Sequence, residues 1–254
     1  MPFLNRSEAG RKLAEALAKY RGQRVVVLAL PRGGVPVAKE VAAALGAPLD
    51  LILVRKIGVP MRPELAMDAV VDGPDPLTVR NEDVIQLAGV TEAEFEAVRD
   101  RELAEIQRRR IQYLGKRPHP DLIGRIAIVV DDGIATGATT RAALRAVRKQ
   151  RPQKLVLAVP VAPTTSLGEL RGEADEIVCL EDHEVFGAIG FFYSDFTRVS
   201  DEEVKDIVAE FPVKTTKAAP QGVLRFRKLN PARTTGFLVA EGSFPPHFSW
   251  GSTA

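Results

Sequence analysis

The chain has 254 residues, 45% apolar and 27% charged, enough for the core of one large globular domain or two small ones. No apolar run approaches the roughly 18 residues of a membrane span, and the start "MPFLNRSEAGRKL" lacks the basic-then-apolar layout of a signal peptide. The net charge of +2 is uneven: residues 212–254 carry six basic residues and one acidic, which leaves 1–211 at −3 and argues against a basic nucleic-acid surface there.

In chain order, "NRSE" at 5–8 predicts a capping box, with Asn5 as N-cap and Glu8 three residues on, ahead of a short helix carrying Leu13 and Leu17. "RVVVLAL", 24–30, is an unbroken apolar run of strand length, as expected for a parallel strand covered on both faces. "PRGG" follows, then a helix over 35–46 stopped by Gly46. "LDLILV", 49–54, predicts a second strand ended by Arg55 and Lys56. "IGVPMRPELA" predicts a loop, and "MDAVVDG" a short strand. Residues 91–113 predict a long charged helix with Phe95, Val98, Ile106 and Tyr113 near one face; its "RRR" at 108–110 predicts a solvated face.

"RIAIVV", 125–130, is another strand, and "ATTRAALRAVRKQ" a helix with Leu144 and Val147 toward the sheet. "KLVLAVPVA" and "EIVCL" are further strands with a helix between them. This alternation predicts an α/β fold with a mostly parallel sheet flanked by helices. The lone Cys179 predicts a core residue and suits a reducing cytoplasm. After Phe211 the texture changes to a basic stretch with five prolines. It reads as a loosely ordered extension over 212–254, with a short strand at "GFLVAEG", or as an arm that wraps a partner subunit or an acidic ligand.

The stretch "IVVDDGIATGATT", 128–140, carries the chemistry. In an open parallel sheet, ligands bind beyond the carboxyl ends of the strands. Gly133 and Gly137 permit a sharp turn, and the amides of Ala135, Thr136, Ala138, Thr139 and Thr140 can converge on an anion at a helix start, with threonine hydroxyls beside them. Asp131 and Asp132 accept from hydroxyls and bind Mg²⁺ directly or through water. A ribose 5-phosphate has hydroxyls for one half and phosphate for the other. The glycine spacing fits neither a Walker loop nor a dinucleotide fingerprint.

On this motif the chain resembles the type I phosphoribosyltransferases, over roughly residues 5 to 210. The resemblance implies their Rossmann-like fold with a small hood near 183–199; the long charged helix makes a helical insertion of roughly 83–115. It implies exchange of the pyrophosphate of phosphoribosyl pyrophosphate for a nitrogenous base, with Mg²⁺ as cofactor and, commonly, a homodimer. Asp131 and Asp132 would hold the ribose hydroxyls, with Mg²⁺ reached indirectly, and Ala135 to Thr140 the 5-phosphate. "LPRGG", 30–34, stands where the family binds pyrophosphate, often through a cis peptide; Gly33 and Gly34 would offer amides and Arg32 a charge.

Arg55 and Lys56 either face the departing pyrophosphate or form a solvated pair. Arg62 and Glu64 fall where the family has a mobile flap. Phe191, Phe192, Tyr193 and Asp195 are the candidates for the acceptor pocket, although aromatics here can equally pack the end of the sheet. Ala135 occupies a position where hypoxanthine-guanine members carry an acid, so any general base comes from elsewhere, with Glu64, Asp195 and Glu181 as candidates. His119, His183 and His247 form no site by spacing. A non-catalytic sensor of the same ligand is the alternative reading.

Overall fold

The structure is a computed structural model and describes residues 2–73 and 77–211; the expected extension 212–254, its "GFLVAEG" strand and His247 lie outside them. Residues Met1–Lys214 form one compact unit.

Five strands make a parallel sheet: β1 (Val25–Ala29), β2 (Leu49–Leu51), β6 (Ile126–Val130), β7 (Lys154–Pro163) and β8 (Glu176–His183), in the order β2-β1-β6-β7-β8. Both faces of this sheet are covered, which is why its central strands are apolar without alternation. Val25, Val27 and Ala29 face one core with Leu13 and Leu17 of α1 (Arg6–Ala16) and its C-cap, and with Val41 of α2 (Gly34–Leu45). Val26 and Leu28 face the other, with Leu144 and Val147 of α5 (Ala138–Lys149) and Leu170 of α6 (Thr164–Leu170).

Helix starts follow their side chains. Asn5 caps α1 by accepting from the Glu8 amide at 2.9 Å, whereas the Glu8 carboxylate reaches back to the Leu4 amide rather than to Asn5. Thr91 and Glu94 make a full capping box at the start of α4 (Glu92–Leu114), and Phe95, Val98, Ile106 and Tyr113 are buried as its spacing predicts.

The segment from 52 to 80 departs from expectation. The second parallel strand ends at Leu51, and Val54 begins β3 (Val54–Val59) of a separate antiparallel sheet with β4 (Arg62–Val71) and β5 (Leu77–Arg80). What looked like a proline-glycine loop is therefore the hairpin joining β3 to β4. Its register shifts between Ile57 and Val59, and that irregularity hides strand periodicity. A short helix, α3 (Glu82–Leu87), leads into α4.

Three smaller expectations also change. Cys179 is half-buried on the edge strand β8 rather than in the core, and burial pushes its thiol up to about 11. Arg110 is not solvated: it turns inward to Asp72 at 2.8 Å. His119 sits beside the same group, 3.6 Å from Asp72 and 3.8 Å from Asp50. Among the described residues no helix is long and apolar enough to cross a membrane.

Candidate active site

Chain order creates the site. After β1 the chain crosses through α2 to β2 on one side, and after β6 through α5 to β7 on the other. The neighbouring strands β1 and β6 thus bracket the point where the winding reverses, and the loops that follow them open into one crevice.

The two loops are in contact. A methyl group on Gly33 would stand 2.0 Å from Asp132 Oδ2, and one on Gly34 would stand 2.7 Å from the Val130 carbonyl oxygen. Gly33 has an ordinary φ of −61, so space rather than conformation demands glycine here. The peptide between Pro31 and Arg32, just before it, is cis. Arg32 lies 3.4 Å from Asp201 at the start of α7 (Asp201–Ala209). Asp201 in turn accepts from the Tyr113 hydroxyl at 2.6 Å and from Gln112 Nε2 at 3.1 Å. Burial first, and the bond to Asp201 second, push the Tyr113 hydroxyl up to about 12.

At the tip of β6, Asp131 is half-buried and Asp132 buried. Desolvation, followed by the adjacent Asp132 charge, raises Asp131 well above the ordinary carboxylate range. Asp132 is held from two sides. Its carboxylate accepts from Arg6 Nε at 2.7 Å, and its carbonyl accepts from the Tyr193 hydroxyl at 2.6 Å. Oxygen donors of this kind suit a hard divalent cation. Among the described residues no three His, Cys, Asp or Glu are grouped to hold a metal.

The rest of the motif forms an open helix start. Gly137 is the N-cap of α5 at φ +73, a backbone position that costs other residues strain, and no side chain caps the helix. The loop is tied down by Ile134 N to the Val161 carbonyl at 3.0 Å and by Ser166 Oγ to the Ala135 carbonyl at 2.7 Å. Gly133 runs beneath Ile189. Ala135, Thr136 and Ala138 are exposed and Thr139 is half-buried. Thr140 differs in being 3% exposed, since it lies on the same helical face as Leu144 and Val147.

The two expected cations part company because they alternate on β3. Arg55 turns to Glu102 of α4 at 2.7 Å and is partly exposed, so it is an ion-paired cation rather than a solvated pair with Lys56. Lys56 is exposed and lines a cleft of about 510 Å³ with Ala138, Thr139, Arg141 and Arg145, on the helix-start side of the crevice. Arg62 is exposed at the start of β4; the side chain of Glu64 lies outside the described residues.

The aromatic segment also sorts itself. Tyr193 is 5% exposed and packs on Phe3, so it supports Asp132 and is no stacking platform. Phe192 is stacked on Phe186 with centroids 4.9 Å apart and lies 4.5 Å from His183, while Phe191 is 78% exposed. Asp195 accepts from the Thr197 amide at 2.9 Å and hydroxyl at 2.6 Å, which hold its carboxyl below the usual range and make it a poor base. Glu181 lies 3.5 Å from His183.

Arg6, Ser166 and Asp201 carry no site signature in the sequence: each meets the site through a contact with a distant segment.

The phosphoribosyl transferase domain family matches residues 4–193. Two Mycobacterium tuberculosis proteins, from strains CDC 1551 and H37Rv, are both named "Putative phosphoribosyl transferase". Each is 49% identical over 202 residues, covering 80% of this chain. The chain spans 45% of the length of these curated relatives. The crystal structure of TT1426 from Thermus thermophilus is 41% identical, with a TM-score of 0.72 over 84% of this chain and all of that one.

Proposed function

Because the chain belongs to the phosphoribosyl transferase domain family, we propose that it moves the phosphoribosyl group of 5-phosphoribosyl 1-pyrophosphate onto a nitrogenous base. The observation that carries this reading is the contact of two unlike loops in one crevice. Adjacent carboxylates meet a glycine-lined turn beside Arg32, and an uncapped helix start lies within the same motif.

The 5-phosphate is received by the amides from Ala135 to Thr140 and by the Thr136 and Thr139 hydroxyls. Asp131 and Asp132 accept from the ribose hydroxyls. The pyrophosphate lies along Gly33 and Gly34 with Arg32 beside it. The bond from C1 of the ribose to the pyrophosphate oxygen breaks, and the acceptor nitrogen bonds to C1. Positive charge develops on the ring while negative charge grows on the leaving group, so Arg32 acts where charge appears. Lys56 adds a cation on the phosphate side. Asp131 and Asp132 would hold Mg²⁺ indirectly, through ribose hydroxyls or water, and the ion would supply further charge neutralisation for the pyrophosphate. The acceptor enters between the crevice and residues 183–199, where Phe186 and Phe192 are half-buried rings. A cytoplasmic homodimer engaged in nucleotide metabolism is part of the same reading.

The double variant Asp131→Asn/Asp132→Asn tests the ribose assignment. Calorimetric titration with phosphoribosyl pyrophosphate and Mg²⁺ is expected to lose about 100-fold or more in affinity, since each lost charged acceptor weakens the hydroxyl bonds. Unchanged affinity would refute it.

A further inference from the structure

We propose that Arg6 is a positioning residue that ties the hood to the ribose site and neutralises Asp132 against the pyrophosphate; this rests on the reading above. The first residues of the chain run alongside the aromatic segment. Phe3 N donates to the Phe192 carbonyl at 2.8 Å, Ser194 N to the Phe3 carbonyl at 2.8 Å, and Asp195 N to the Leu4 carbonyl at 2.9 Å. Residues 3–4 and 192–195 therefore behave as one stitched ribbon, and α1 starts immediately beyond it.

Arg6 leaves the first turn of α1 and enters the crevice with both edges and the face of its guanidinium engaged. Nε donates to Asp132 Oδ2 at 2.7 Å, Nη1 donates to the Thr197 carbonyl at 2.8 Å, and the plane covers Phe196 at 3.9 Å. Its side chain and that of Asp132 are both 11% exposed, so this is a largely desolvated pair. Asp132 Oδ2 is also the atom nearest to where a side chain at Gly33 would lie. The guanidinium thus holds the carboxylate against the glycine turn that is read as receiving pyrophosphate.

Loss of Arg6 has two separable effects. Without it, Asp132 presents an uncompensated negative charge to a polyanion, and it loses the contact that fixes its rotamer. The first effect acts on ligands with a pyrophosphate, the second on any ligand with the ribose. A residue that merely held the hood in place would affect both ligand kinds alike.

The test compares phosphoribosyl pyrophosphate with ribose 5-phosphate by calorimetry in Mg²⁺, on wild type, Arg6→Gln and Arg6→Lys, with thermal melting to check folding. Arg6→Gln is expected to weaken phosphoribosyl pyrophosphate about 10- to 100-fold and ribose 5-phosphate about threefold or less. Arg6→Lys, which keeps the charge but not the planar fork, is expected to restore most of the difference between the two ligands. Equal losses for both ligands, or no loss for either, would overturn the role of Arg6. Should Arg6→Gln fail to fold, the Arg6→Lys comparison still decides: a ratio of affinities as low as charge removal predicts would overturn it. If wild type binds neither ligand, it is the phosphoribosyltransferase reading itself that fails.

Discussion

Glycine at position 33 is fixed by a neighbour, not by its own backbone. Its φ of −61 is open to any residue, but a methyl group would stand 2.0 Å from Asp132 Oδ2. That carboxylate has nowhere to go, since Arg6 holds its oxygen at 2.7 Å and Tyr193 holds its carbonyl at 2.6 Å. The loop would have to yield instead. Gly33→Ala is therefore expected to melt near wild type yet lose about 100-fold in affinity for inorganic pyrophosphate with Mg²⁺, as displacements of about an ångström cost in such sites. Unaltered pyrophosphate binding would show that the turn does not receive that group. The residues of the two loops were legible in the sequence because small residues and adjacent acids at strand ends leave a local trace. Arg6 was not. In the sequence it is one more residue of a capped helix start, and its bond to a residue 126 positions away has no local signature. Tyr193 was visible as an aromatic, but nothing local says which way a ring points.

Between elements, the least expected feature is the buried charge cluster where β2, β4 and α4 meet. Asp50 is 1% exposed, neither of its carboxylate oxygens has a hydrogen bond of good geometry among the described residues, and Arg110 and His119 stand 3.8 Å away. Burial raises its pKa to about 6 against the attraction of Arg110 and Arg117. The folded protein therefore binds this proton more tightly than the unfolded chain, whose value is near 3.8. The associated stability is fully present below about pH 4 and is lost as pH rises through about 6; the whole shift amounts to roughly 3 kcal/mol. His119, lowered by burial and by Arg110, works in the opposite direction, so the effect is read as a difference. In denaturant titrations between pH 4 and 7, wild type is expected to lose stability relative to Asp50→Asn as pH rises; parallel profiles would contradict the assignment. The parallel strands were legible because apolar runs covered on both faces look alike everywhere. The antiparallel sheet was not, because a proline-rich hairpin with an irregular register reads as a loop. Arg55, placed by the sequence at the end of a parallel strand, belongs to that sheet and to Glu102.

At the level of the molecule, function follows from where the sheet reverses its winding. Two adjacent strands end at one crevice, and the insertion between β2 and β6 supplies both the antiparallel sheet beside it and the helix α4 behind it. Helix α4 grips both halves, through Glu102 to Arg55 and through Tyr113 and Gln112 to Asp201 beside Arg32. The family match and the structural likeness to TT1426 fix the fold family, while the side chains around 183–199, proposed above to receive the acceptor, differ in burial from what an aromatic run suggests. Of those, Tyr193 braces Asp132 and Asp195 is occupied by Thr197. The most direct measurement is pyrophosphate release from phosphoribosyl pyrophosphate in Mg²⁺ across a panel of purine and pyrimidine bases. Base-dependent release by wild type, lost in Asp131→Asn/Asp132→Asn, is the predicted result. Tight binding of phosphoribosyl pyrophosphate with no release for any base would contradict catalysis and leave a sensor of that ligand.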